Sequence, residues 1–138
     1  MSVRRRQRQK GHAILEGGLC LVVFLSFLIG TLDFAQFLYF YQSLVERVRV
    51  AARYGAVHPT DTVGTKNVAV YNDSAGGTSA LLPNLTTSMV SVDVADVGTP
   101  AARVTVTITG YPFQFFSPTI AGGRTAQPIS ATMLAETP

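Results

Sequence analysis

Few side chains in this sequence are placed to do chemistry, and the two that matter most are acids in or beside an apolar run. Glu16 lies five residues past Gly11 and four past His12, at the mouth of a stretch with no charge from residue 17 to residue 32. Asp33 ends that stretch, Gln36 follows three residues later, and no further charge appears until Glu46. A carboxylate in hydrocarbon is costly unless a cation or a hydrogen-bond donor meets it, so such acids mark functional contacts. Glu16 and the Asp33–Gln36 pair are therefore candidates for polar contact with neighbouring helices. Each has an ordinary alternative. Glu16 also reads as an interfacial acid favoured by the dipole at a helix start. Asp33 also reads as an acid near a span end that snorkels to headgroups.

Catalytic groups are scarce. His58 stands near Asp61, a pairing that reads as surface turn chemistry rather than a metal or proton site. There is no Gly-x-Ser-x-Gly, no phosphate loop and no second His beside a first; Ala75-Gly76-Gly77 breaks a loop. The single Cys20 excludes a disulfide framework and a Cys-based zinc site. Leu19 before it and Gly17 three before it do not make a lipobox. The expectation is a chain that is not an enzyme, with no cofactor, no metal and no small-molecule substrate.

The elements that position these residues follow from charge and hydropathy. The chain has 138 residues, enough for one small domain, and only 14% are charged where a soluble domain carries about a quarter. Arg4, Arg5, Arg6, Arg8 and Lys10 supply five of the 11 basic residues, and no acid lies among them. The remainder carries six basic against eight acidic residues, net −2, and offers no basic patch for nucleic acid. A basic flank before an apolar run governs membrane insertion. It predicts a cytoplasmic N-terminus and an extracytoplasmic chain after Tyr41. Residues 17–41 rise about 38 Å as a helix against a hydrocarbon core of about 30 Å, so they span with tilt. Phe34, Phe37, Tyr39, Phe40 and Tyr41 gather at the far end, as at a membrane–water interface. Ser26 and Gly30 form a small-x3-small pair that would let helices approach.

The helix is expected to continue beyond the lipid. Tyr41, Leu44, Val48, Ala51, Ala52 and Gly55 recur at helical spacing, with Glu46, Arg49 and Arg53 on the other side, and His58-Pro59 marks the stop. The helix would thus run from about His12 to about Val57, its upper stripe needing a cover. Thr60 and Asp61 can cap a short helix over about 62–72, with Val63, Val70 and Tyr71 inward; the alternation of Val68 and Val70 also fits a strand there. Val90, Val92 and Val94 alternate with polar or small residues, as do Val104, Val106 and Ile108, and residues 96–101 turn between them as a hairpin. Residues 111–128 read as an irregular crossing with an aromatic cluster, Tyr111, Phe113, Phe115 and Phe116, that packs on sheet or helix. A last strand covers 128–135. The expected fold is α+β: a long N-terminal helix, its lower half transmembrane, packed on a small antiparallel β-sheet. The expected domains are a leader (1–11), the helix (12–58) and a small extracytoplasmic unit (59–138).

The basic leader ending at Gly11, followed by Glu16 and an uninterrupted apolar run, resembles a type IV prepilin leader. That resemblance implies cutting by prepilin peptidase between Gly11 and His12. It would leave a free amine at His12, which Glu16 would neutralise one turn along, on its own chain or a neighbour's, setting subunit registry. Gly11-His12-Ala13-Ile14-Leu15-Glu16, Thr31-Leu32-Asp33-Phe34, Tyr41-Gln42 and Ala51-Ala52-Arg53-Tyr54-Gly55-Ala56 together resemble the TadE-like minor pseudopilin family of tight-adherence (Flp, type IVc) pili. The later segments 66–71, 81–85 and 129–133 are similar in order and spacing. Gly17-Gly18 departs from the family, which usually carries an aromatic or apolar residue and an Ala there. The resemblance implies an inner-membrane protein taking part in pilus assembly or initiation. Its partners would be prepilin peptidase, other pilins or pseudopilins, pilus platform proteins and membrane lipid. The alternative is an uncleaved, signal-anchored protein displaying a small extracytoplasmic binding domain.

Overall fold

The computed structural model describes residues 3–96, 98–115 and 124–136, with side chains from His12 onward. The basic side chains of the leader, and Phe116 of the aromatic cluster, lie outside the described residues. The first element is α1, Val3–Val57, a single helix of 55 residues that begins within the leader rather than at His12. No proline interrupts it between His12 and Val57. It stops where Pro59 can no longer continue the ladder, and a turn follows in which the Asp61 amide donates to the His58 carbonyl.

Asp61 then caps α2, Thr62–Tyr71, its carboxylate accepting from the Gly64 amide at 2.8 Å. Asn72 closes α2 in the left-handed conformation, its amide donating to the Val68 carbonyl. Gly64, Thr65, Val68, Ala69 and Val70 are buried. Val63, expected inward, is 68% exposed. Val63 and Val70 lie seven residues apart and so share a face, but that face is covered at its Val70 end, where the Leu81 amide donates to the Val70 carbonyl.

Three strands form one antiparallel sheet in the order β1 (Val90–Ala95), β2 (Arg103–Ile108), β5 (Ile129–Leu134). The register follows the alternation of side chains. Val90 pairs with Ile108 and Ile108 with Ile129; Val92 with Val106 and Val106 with Ala131; Val94 with Val104 and Val104 with Met133. These three rows make the inner face. A slip of one residue would turn all of them outward, so burial fixes the pairing. The outer face carries Ser91–Thr107–Ser130 and Asp93–Thr105–Thr132, with the Thr105 and Thr132 hydroxyls 2.8 Å apart. Where an irregular crossing was expected, β3 (Pro112–Phe113) and β4 (Arg124–Thr125) form a short two-stranded ladder.

The core lies between this sheet and the upper half of α1. Leu44, Val48, Ala51 and Ala52 are buried against a cluster that includes Val104, Val106 and Ile108. The small side chains bring the rod close to the strands. A Cβ at Gly55 would stand 2.8 Å from Val104 Cγ1 and 3.3 Å from the Thr65 side chain, so Gly55 is where α1, α2 and β2 meet.

Candidate functional site

α1 has two chemically distinct halves. From His12 to Gly30 its side chains are exposed apart from the half-buried Ile29, and the most apolar 18-residue window has a mean hydropathy of 2.3 with 0% of it buried. The helix is long and apolar enough to cross a membrane. Above Ser43 the opposite holds, because one face is sealed by the sheet. The candidate site is the bare half together with the junction where it enters the domain.

At the lower end the helix runs unbroken through Gly11 and His12, and Glu16 stands exposed one turn above His12. The proposed cut and the proposed registry acid are thus on one continuous helical surface. Ser26 and Gly30 line a shallow groove with Phe27, Thr31 and Phe34. The two hydroxyls beside it are already used within the helix: Ser26 Oγ donates to the Val22 carbonyl and Thr31 Oγ1 to the Phe27 carbonyl, each at 2.8 Å. That groove therefore offers shape rather than free donors.

Asp33 and Gln36 are both half-buried, while Leu32, Phe34 and Ala35 beside them are exposed. The two polar residues sit on the face that continues upward through Phe37, Phe40, Leu44 and Val48. The sequence pattern does not separate them from the bare positions; the structure puts them on the domain side.

The same face splits the aromatic group. Phe37 and Phe40 pack into the domain: Phe37 lies 4.7 Å from Phe113 and 6.5 Å from Phe115 between ring centroids, and Phe40 lies 6.3 Å from Tyr111. Phe34, Tyr39 and Tyr41 remain exposed. The sequence groups all five as one interfacial belt, whereas the spacing from Phe37 to Phe40 to Leu44 already marks the two that join the stripe. Tyr111 and Phe113 are buried, and burial pushes the Tyr111 phenol above its ordinary pKa. On the other side of α1, Tyr39, Ser43 and Arg47 face Asn72, Leu81 and Leu82 across a groove of about 550 Å³. Arg47 donates to Asn72 Oδ1 at 3.0 Å, tying α1 to the end of α2.

The histidine that stood near an acid in the sequence belongs to the top of the rod. His58 stacks on Tyr54 at 4.5 Å, and the Tyr54 hydroxyl donates to Asp61 Oδ2 at 2.9 Å. The Gly64 amide, then the Tyr54 hydroxyl, and to a lesser degree the charge of His58, hold the Asp61 carboxyl below the usual carboxylate range. The cluster pins the α1–α2 turn. Cys20 is an exposed free thiol on the bare half. No group of three His, Cys, Asp or Glu side chains comes together among the described residues. Compared with known proteins, the chain matches no family model, no curated protein and no solved structure.

Proposed function

We propose that this chain is a minor pseudopilin-like, single-pass membrane protein that takes part in assembling or initiating a tight-adherence (type IVc) pilus or a related secretion apparatus. The observation that carries the reading is the contrast along α1. Its upper half is sealed by its own domain, while its lower half is apolar and bare. A surface of that kind in water is covered only by lipid or by other apolar helices. The resemblance of residues 11–57 to the TadE-like pattern supplies the choice of filament. The basic leader supports a cytoplasmic N-terminus, with residues 59–138 outside the inner membrane. In this role the protein catalyses nothing. It contributes a helix to a bundle and a head to its outer face.

Glu16 is the registry residue of this reading, meeting the amine that cleavage would free at His12 or at a neighbour's first residue. Intact mass of the membrane-extracted protein tests the first step, and loss of residues 1–11 is the expected result. Co-purification with partner pilins tests the second. A Glu16→Ala variant that assembles as well as the unaltered chain sinks the registry role.

The continuity of α1 through Gly11 and His12 favours the second reading, an uncleaved signal-anchored protein. In that case residues 1–11 persist beside an active prepilin peptidase.

A further inference from the structure

Phe37 meets the domain through Phe113 and Phe115, one turn above Asp33, which is already half-buried on the same face. Counted from Gly17, where the uncharged run starts, the residues up to Gln36 rise about 30 Å, the thickness of a hydrocarbon core. If α1 spans the bilayer as proposed above, the lower rim of the domain arrives at the outer membrane surface.

That rim carries apolar side chains on both sides of the rod. On one side Pro112 and Phe115 are half-exposed, next to exposed Gln114 and to Arg124, the exposed cross-strand partner of Phe113, whose cation suits a headgroup phosphate. On the other, Leu81 is 53% exposed beside Tyr39, which is 67% exposed. Phe37 and Tyr39 are two residues apart, hence roughly 200° around the helix, so Phe115 and the groove shared by Tyr39 and Leu81 lie on opposite sides of α1. Polarity rises immediately above: Glu46, Arg47 and Asn72 line the same groove as Tyr39 and Leu81, farther from the bare half. Apolar and aromatic side chains below, with polar ones above, match the gradient from acyl chain to water at a headgroup layer.

We infer that this rim is seated in the lipid headgroup layer, with Phe115 and Leu81 inserted on opposite sides of α1. The domain rests on the membrane rather than standing clear of it. The inference depends on the single-pass reading, and one experiment separates the two.

The chain has no Trp, so single reporters can be placed in the full-length protein: Phe27→Trp in the bare half, Phe115→Trp and Leu81→Trp at the rim, and Thr99→Trp in the distal hairpin. Each is reconstituted in phosphatidylcholine vesicles brominated either near the carbonyl end or near the methyl end of the acyl chain. The expected result is loss of Phe27→Trp emission to methyl-end bromine and loss of rim emission to carbonyl-end bromine, with Thr99→Trp unaffected by either. Leu81 is already exposed, so it carries the measurement even if Phe115→Trp disturbs its loop. Loss at either rim position sustains the seating. Unchanged emission at both, with Phe27→Trp quenched, overturns the seating and leaves the anchor standing. Unchanged emission at Phe27→Trp as well overturns both.

Discussion

At the scale of single residues, Gly55 and Gly30 make an instructive pair. A Cβ at Gly55 meets Val104 and Thr65, both fully buried, and neither can retreat. Gly55→Val is therefore expected to lower the stability of the outer domain by about 1–3 kcal/mol through overpacking, more than any helix-propensity gain returns. Nothing lies within 4 Å of a Cβ at Gly30, so Gly30→Val should leave the same denaturation midpoint unchanged. Urea unfolding followed by circular dichroism checks both. Asp61 gives a pH prediction. Its carboxyl is held low by the Gly64 amide and the Tyr54 hydroxyl. A group with a lowered folded-state pKa stabilises the fold above its unfolded value, and that contribution is lost as pH falls through the folded value. Stability should thus decline below about pH 4, and Asp61→Asn should flatten that acid limb while lowering the midpoint at neutral pH. An unfolding series from pH 7 to pH 2 in which both proteins lose stability in parallel would count against this account. The cap itself is legible in the sequence, since Asp61 precedes a helical pattern. Its hydrogen bond from Tyr54 is not, because it depends on the tight turn through Pro59 that folds α2 back beside α1.

Among the elements, α1 is two helices in one: a core helix of a small domain above, and a bare apolar rod below. A chain starting at Gln36 keeps Phe37, Phe40 and the whole sealed stripe, so it should fold and stay soluble without detergent. Size-exclusion chromatography shows whether it does, and aggregation of that fragment would mean that the lower half also holds the head together. Leu44 is fully buried beneath the sheet, and Leu44→Ala in the same fragment should cost about 2–5 kcal/mol. The inner rows of the sheet were readable because Val90, Val92, Val94, Val104, Val106 and Ile108 alternate without exception, and period two has one structural meaning there. Val63 lies outside the core for a physical reason: helical periodicity reports which face is apolar, not how far along the axis the cover reaches. The aromatic group divides for a related reason. Phe, whether buried in a domain or dipped in headgroups, has the same composition signal, and only its phase relative to Leu44 and Val48 tells them apart.

For the whole molecule, the proposed orientation rests on charge asymmetry: the leader carries five basic residues and no acid, whereas residues 42–57 carry Arg47, Arg49 and Arg53 with Glu46. A Cys20→Ser, Thr99→Cys chain should react with a membrane-impermeant maleimide from the outer side of intact spheroplasts. Replacing Arg4, Arg5, Arg6, Arg8 and Lys10 by Gln should reduce that labelling as the orientation bias is lost. Labelling seen only after lysis would overturn the proposed topology. The α+β architecture was legible from hydropathy and alternation, since a 138-residue chain with one apolar rod and two Val-rich strands has few ways to bury its faces. The level at which head meets rod was not, because it is set by contacts between Phe37 and residues more than 70 positions later. The absence of proline between His12 and Val57 has a mechanical consequence. With no proline joint and one continuous hydrogen-bonded ladder, a push that lifts the foot of α1 by one residue's rise, about 1.5 Å, should lift the head with it. If the rod crosses a bilayer as proposed, force applied inside the membrane is carried along it to the head.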